Sequence, residues 1–216
     1  GTSDQETENL VAAMIEQSGN ESADWLMDRT VDSSRCPLLV TEDMKALGLN
    51  STFLAGYFTL GSPLLAQIQT PANQRTDVDT DPDLYNQTTP SDIGMLLTDL
   101  YQCSQNGGGS LTAVFPGEIT EAECRMMITH LVNNHLPSLL TAGIKEGTQI
   151  AHKHGWVPDA NGIIHTIGDA GIIYTPGGNF VMVVFLYHPD QLFWDPANEL
   201  IAQLAAAAYN FYNLPE

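Results

Sequence analysis

Lys153 stands between His152 and His154 in the run IAHKHGW, residues 150–156, and it is one of only three lysines among 216 residues. An ammonium, two imidazoles and a glycine in so short a run can serve three kinds of chemistry. The histidines, joined by His165 and Asp169, could act as imidazole and carboxylate ligands of a metal ion. They could also be half-buried strand residues with satisfied hydrogen bonds. Alternatively, Lys153, with Gly155 clearing space beside it, could hold an anionic group in a groove. Side chains alternate along a strand, so His152 and His154 face one side while Lys153 and Gly155 face the other. An H-x-H pair is a short pattern, and a cation sharing its face would oppose a divalent ion. The strand-histidine reading leaves Lys153 unexplained, whereas the groove accounts for it.

These residues need a strand beneath them, and the late part of the chain supplies it. The runs QIAHKHGWV (149–157), AGIIYT (170–175) and NFVMVVFLY (179–187), separated by PDANG and PGGN, predict an antiparallel three-strand meander. The stretch 196–212 is alanine-rich, with Leu200, Ile201, Leu204 and Ala208 at helical spacing, and predicts a helix lying across that sheet. His165 and Asp169, in GIIHTIGDAGIIY, read as residues shaping the start of the second strand.

Residues 1–146 predict a mainly helical lobe. Leu10, Val11, Met14 and Ile15 mark a helix over 5–17, a tight turn follows at Ser18-Gly19-Asn20, and Ala23, Leu26 and Met27 resume the pattern. A short helix is expected at 41–47, then a long polar surface loop over 62–88. Thr89-Pro90-Ser91-Asp92 predicts a capped helix from 90 to about 103. NGGGS at 106–110 reads as a flexible connection, and Thr120 with Glu123 as a capping box opening a helix to about 134, stopped by Pro137. Trp25, Trp194, Tyr209, Phe211 and Tyr212 read as core or sheet-covering residues.

Seven basic residues against 26 acidic ones give a formal net charge of −19, which repels phosphate backbones and excludes nucleic acid as an expected partner. No apolar run approaches the roughly 18–20 residues of a membrane span, and GTSDQETENL has neither the basic nor the apolar region of an export signal. Of three cysteines, Cys103 and Cys124 could bridge, but unpaired core residues are the expectation.

Lys153-His154-Gly155 on the first strand of a late meander, with Ser18-Gly19-Asn20 at an interhelical turn upstream, resembles the Lys-Thr-Gly and Ser-x-Asn boxes of the class A β-lactamase and penicillin-binding protein superfamily. The flanks MIEQSGNESADWLM, ALGLNST, TTPSDIGMLLTDLY and GIKEGTQIAHKHGW are similar to that superfamily in the same order, so the resemblance runs through most of the chain. It implies an α/β (α+β) fold, a single domain over 1–216 with a helical lobe and an antiparallel sheet covered by a C-terminal helix. It also implies acyl transfer: a serine attacks a β-lactam or a D-alanyl-D-alanine peptide, a lysine one helical turn later is its base, and two backbone N–H groups hold the oxyanion.

By that resemblance Ser18 would shuttle a proton to the leaving nitrogen, and Asn20 would bind the substrate's side-chain amide and the catalytic lysine. Lys153 would attract the substrate carboxylate and polarise Ser18. His154 would donate to that carboxylate, Gly155 would leave room for the substrate, and the Trp156 N–H would be one oxyanion donor. No cofactor is needed for such chemistry, and an extracytoplasmic setting, periplasmic or secreted, is implied.

The sequence departs from the pattern in four places. The family's Ser-x-x-Lys box is absent, since Glu42, Ala142 and Ile150 stand three residues before Lys45, Lys145 and Lys153. The expectation is therefore a C-terminal portion of a longer protein, incomplete at the N-terminus and inactive alone. The loop DTDPDLYNQTTP lacks a Glu-x-x-Leu-Asn, leaving Asp81 and Asp83 as the acids in that region. His154 replaces a threonine or serine, and Gly19 replaces an aspartate. FVMVVFLY, apolar on both faces, would have an unpaired edge, to be hidden in a homodimer, by swapping, or by the missing N-terminal segment. The alternative from another class is a non-catalytic homologue that binds peptidoglycan-like ligands or a protein partner.

Overall fold

Two threonines start helices where their spacing predicts. In the computed structural model, which describes residues 5–30, 35–78 and 81–214, the Thr89 side chain accepts from the Asp92 backbone N–H and Pro90 opens α4 (Pro90–Asn106). Gly107, at φ +68°, closes that helix in the left-handed conformation glycine favours. Thr120 and Glu123 form a reciprocal capping box on α6 (Glu121–Val132). Each cap satisfies a first-turn N–H that the helix itself leaves free.

Upstream lie α1 (Gln5–Glu16) and α2 (Asn20–Thr30), joined by the Ser18-Gly19 turn. The third helix, α3 (Cys36–Ala46), begins five residues earlier than the apolar spacing predicts, because Pro37 is suited to a first helical turn. The long polar loop is largely irregular, but it is flanked by a two-residue ladder of β1 (Phe53–Leu54) and β2 (Asn86–Gln87) that sequence reading missed. Thr41 fixes it to α3: its hydroxyl donates to the Leu54 carbonyl at 2.7 Å and accepts from the Leu54 N–H at 2.8 Å. The expected flexible connection at 106–110 leads directly into a short helix, α5 (Ser110–Val114).

The sheet is antiparallel in the order β3 (Ile150–Pro158), β4 (Ile164–Ile173), β5 (Phe180–Tyr187), as the three runs predict. The second strand starts six residues before the predicted position. Glycines and Asp169 interrupt its apolar pattern, and they are accommodated by pairing across the ladder rather than by a turn. One face packs Ala151, Ala170 and Ile172 against Leu97, Leu100 and Leu131 of the helical lobe. The other packs Ile150, Ile167 and Ile173 against Ala197, Ile201 and Ala205 of α7 (Trp194–Tyr212). Of the predicted contact face of α7, Ile201 and Ala208 do pack there, whereas Leu200 and Leu204 are 46% and 43% exposed. Small alanines let the helix lie close to the sheet, which turns the leucines outward.

Two further expectations are corrected. Cys103 and Cys124 are joined in a disulfide with a Cα–Cα distance of 5.9 Å. The two residues are fully buried where α4 and α6 pack side by side, so a bridge forms where unpaired thiols were expected. Trp25 is on the surface, 58% exposed, because α2 turns that face outward. Phe211 is likewise exposed, whereas Tyr212 does cover the sheet, its ring stacked on Phe180 at 4.4 Å.

Candidate active site

Lys153 reaches out of β3 toward the helical lobe, and its Nζ donates to the Ser18 hydroxyl at 2.7 Å and to the His154 carbonyl at 3.0 Å. The two predicted boxes, 135 residues apart for this pair, therefore meet in space. Ser18 adopts φ +59°, a left-handed conformation uncommon for a non-glycine residue, and this projects its side chain from the turn. Gly19 beside it has its N–H bonded to the Ala13 carbonyl at 2.9 Å. A Cβ there would stand 3.0 Å from the Ser22 hydroxyl and 3.2 Å from the Ala13 carbonyl oxygen, so the tight turn favours glycine over the family's aspartate. Asn20, exposed, is the first residue of α2 on the same turn.

Glu16, two residues before Ser18, is anchored to α6. Its carboxylate lies 2.7 Å from His130 Nδ1 and accepts from Asn133 Nδ2 at 3.1 Å. The His130 hydrogen bond, then that of Asn133, holds the Glu16 carboxyl below its usual range.

Strand alternation sorts the rest of the run as predicted. His152, His154 and Trp156 form a ladder of rings on the α7 side, with centroids 6.2 and 5.1 Å apart, and Trp194 meets Trp156 edge-on at 4.8 Å. Gly155 is exposed, and a Cβ there would meet nothing within 4 Å, so the strand surface beside Lys153 is open. Desolvation pushes the Lys153 ammonium below the usual lysine range, and the Asp169 carboxylate partly offsets this. Burial, followed by the Lys153 charge, lowers His154 to about 4, so its ring is neutral near pH 7. Nδ1 of His154 is buried and has no hydrogen-bond partner among the described residues.

His152 and Asp169 meet in the interior, with Nδ1 at 3.0 Å from one carboxylate oxygen and 3.1 Å from the other. Sequence reading placed both residues but did not pair them, and it missed Asn134 altogether. A signal was present: one acid in an apolar strand needs a buried partner. Both ring nitrogens of His152 face protein acceptors, which leaves none for a metal ion. Among the described residues no group of three or more His, Cys, Asp or Glu side chains could hold one. His165 lies apart, near Asp159, and the Asp83 carboxylate is engaged in its own turn with the Tyr85 and Asn86 N–H groups. No helix among the described residues is long and apolar enough to cross a membrane.

Residues 3–212 match the family model described as the β-lactamase enzyme family. The chain belongs to that family. Its fold is similar to the TLA-1 extended-spectrum β-lactamase, with a TM-score of 0.67 at 18% identity, covering 96% of this chain and 64% of that one. It is also similar to a β-lactamase from Chitinophaga pinensis, at TM-score 0.66 and 15% identity over 94% of this chain and 64% of that one. PBP-A gives 0.64 and 19%, with coverage of 96% and 61%. No curated protein matches. This β-lactamase-family chain thus spans less than two-thirds of the length of these solved structures.

Proposed function

We propose that this chain supplies two walls of a serine acyl-transfer site acting on β-lactams or D-Ala-D-Ala-type peptides. The observation that carries the reading is the 2.7 Å bond from Lys153 to Ser18, which joins the Lys-x-Gly strand to the Ser-x-Asn turn. In this reading Lys153 attracts the substrate carboxylate and holds the Ser18 hydroxyl oriented for proton transfer to the leaving nitrogen. Asn20 binds the substrate's side-chain amide, and the substrate lies along the open strand at Gly155. The Trp156 N–H supplies one oxyanion donor, and His154, neutral at pH 7, offers a hydrogen bond in place of a threonine hydroxyl.

The sequence holds no Ser-x-x-Lys, so the nucleophile comes from chain outside these residues, and residues 1–216 alone do not turn over substrate. The same arrangement has the outer edge of β5 covered by that chain or by a second copy of this one, an association that light scattering at decreasing concentration reads directly. The setting is extracytoplasmic, which the Cys103–Cys124 disulfide supports because such bonds persist in oxidising compartments.

The binding half of the reading is tested by titrating benzylpenicillin into 15N-labelled chain. Amide shifts at Ser18, Gly155 and Trp156 that disappear in Lys153→Ala are expected. Shifts that persist in the variant, or none in the parent, would overturn it.

A further inference from the structure

The His152–Asp169 pair lies in the sheet interior, where both residues are fully buried, and its hydrogen bonds allow its protons to be counted. Nε2 of His152 is 3.0 Å from the Asn134 carbonyl oxygen. A carbonyl oxygen only accepts, so Nε2 carries a proton. Nδ1 is nearly equidistant from the two Asp169 oxygens, at 3.0 and 3.1 Å, and Oδ2 also accepts from the Leu140 N–H at 3.2 Å. That geometry suits a ring N–H shared between two ionised oxygens.

We infer that His152 is a buried imidazolium paired with an ionised Asp169, and that the two are positioning residues for Lys153. The inference rests on the anion-binding role proposed for that lysine. The pair is neutral as a unit and satisfies its hydrogen bonds within the protein, the condition under which a buried charge pair is tolerated. Asn134 adds a second tie by donating from Nδ2 to the His152 carbonyl at 3.2 Å. The backbone one residue before Lys153 is thereby held from the 133–140 segment, while the ring is held from β4. Gly171 stands opposite His152 in the ladder, and a Cβ there would lie 2.8 Å from the His152 Cβ, so glycine keeps this approach open. Among the charged and titratable neighbours, the Asp169 carboxylate is the one that favours the Lys153 ammonium against its desolvation.

Asp169→Asn is the discriminating variant, because its amide can donate to Nδ1 while its oxygen still accepts from Leu140. The ring then needs only the Nε2 proton, and the hydrogen bonds survive without the charges. Expected in the parent chain at neutral pH is an imidazole 15N–1H spectrum with protons on both His152 nitrogens, one of which is lost in Asp169→Asn. The Lys153 amide and side-chain shifts, followed with labelled lysine, should move in that variant as the ion pair beneath it is lost, while those of Lys45 and Lys145 stay as internal controls. A singly protonated His152 ring in the parent chain, or Lys153 shifts that Asp169→Asn does not move, would overturn the inference. These readouts use no β-lactam, so failure of the anion-binding reading appears separately, in the penicillin titration.

Discussion

The two walls of the candidate site are built in opposite ways. The strand wall carries Lys153 on a backbone braced by buried groups: His152 and Asp169 are both at 0% exposure, and Asn134 and Leu140 are bonded to them. The turn wall carries Ser18 and Asn20 on an exposed bend that Glu16 ties to α6 through His130 and Asn133. Buried polar networks are costly to disturb, whereas a half-buried pair nearer the surface, such as Glu16 with His130, contributes less. The comparison assigns rigidity to Lys153 and adaptability to Ser18, in the anion-binding and proton-shuttling roles proposed for them.

The comparison breaks most sharply at Asp169. Asp169→Ala strands the buried His152 ring and the Leu140 N–H, and it should cost on the order of 3–5 kcal/mol in urea unfolding. Reducing the Cys103–Cys124 bridge frees a 21-residue separation between α4 and α6. By chain entropy this should remove roughly 3 kcal/mol, seen as a lower thermal midpoint in reductant.

The next effect depends on pH. His154 falls to about 4 in the folded chain from the ordinary histidine value of 6.5, so the unfolded chain binds more protons between those values. Stability should therefore fall as pH drops from about 6.5 to about 4, by roughly 2 kcal/mol after allowing for partial exposure. His154→Thr should flatten that part of the pH profile.

How much of this was legible in the residues follows the same division. Apolar spacing and capping threonines located the helices, and β-rich runs between turn signals located the meander, because those signals are local. Lys153 stood out as a rare lysine in an apolar strand, whereas Ser18 was found because a resemblance placed it in a box. Asp169, by contrast, stood in GDAG and read as shaping the start of a strand, since its partner is 17 residues away across a ladder register that sequence does not print. The Cys103–Cys124 bridge was hidden for a similar reason: its formation depends on how α4 and α6 pack.

The smallest expected effect belongs to the turn wall. Glu16→Gln should cost under about 1 kcal/mol. The Glu16 carboxyl is held below 4.5, so its contribution is present above that value and is lost as pH falls through the lowered folded value. Unfolding of the parent chain and Glu16→Gln should thus converge in acid. A loss as large as that of Asp169→Ala would remove the contrast between the walls.

The most direct test of the central claim is intact-mass spectrometry after incubation with benzylpenicillin, run on this chain and on the protein extended upstream through its natural start. The account predicts a penicilloyl adduct on the extended protein and none on residues 1–216. Absence of an adduct on the extended protein would contradict it, leaving a non-catalytic homologue in which Lys153 serves as an anion-binding residue.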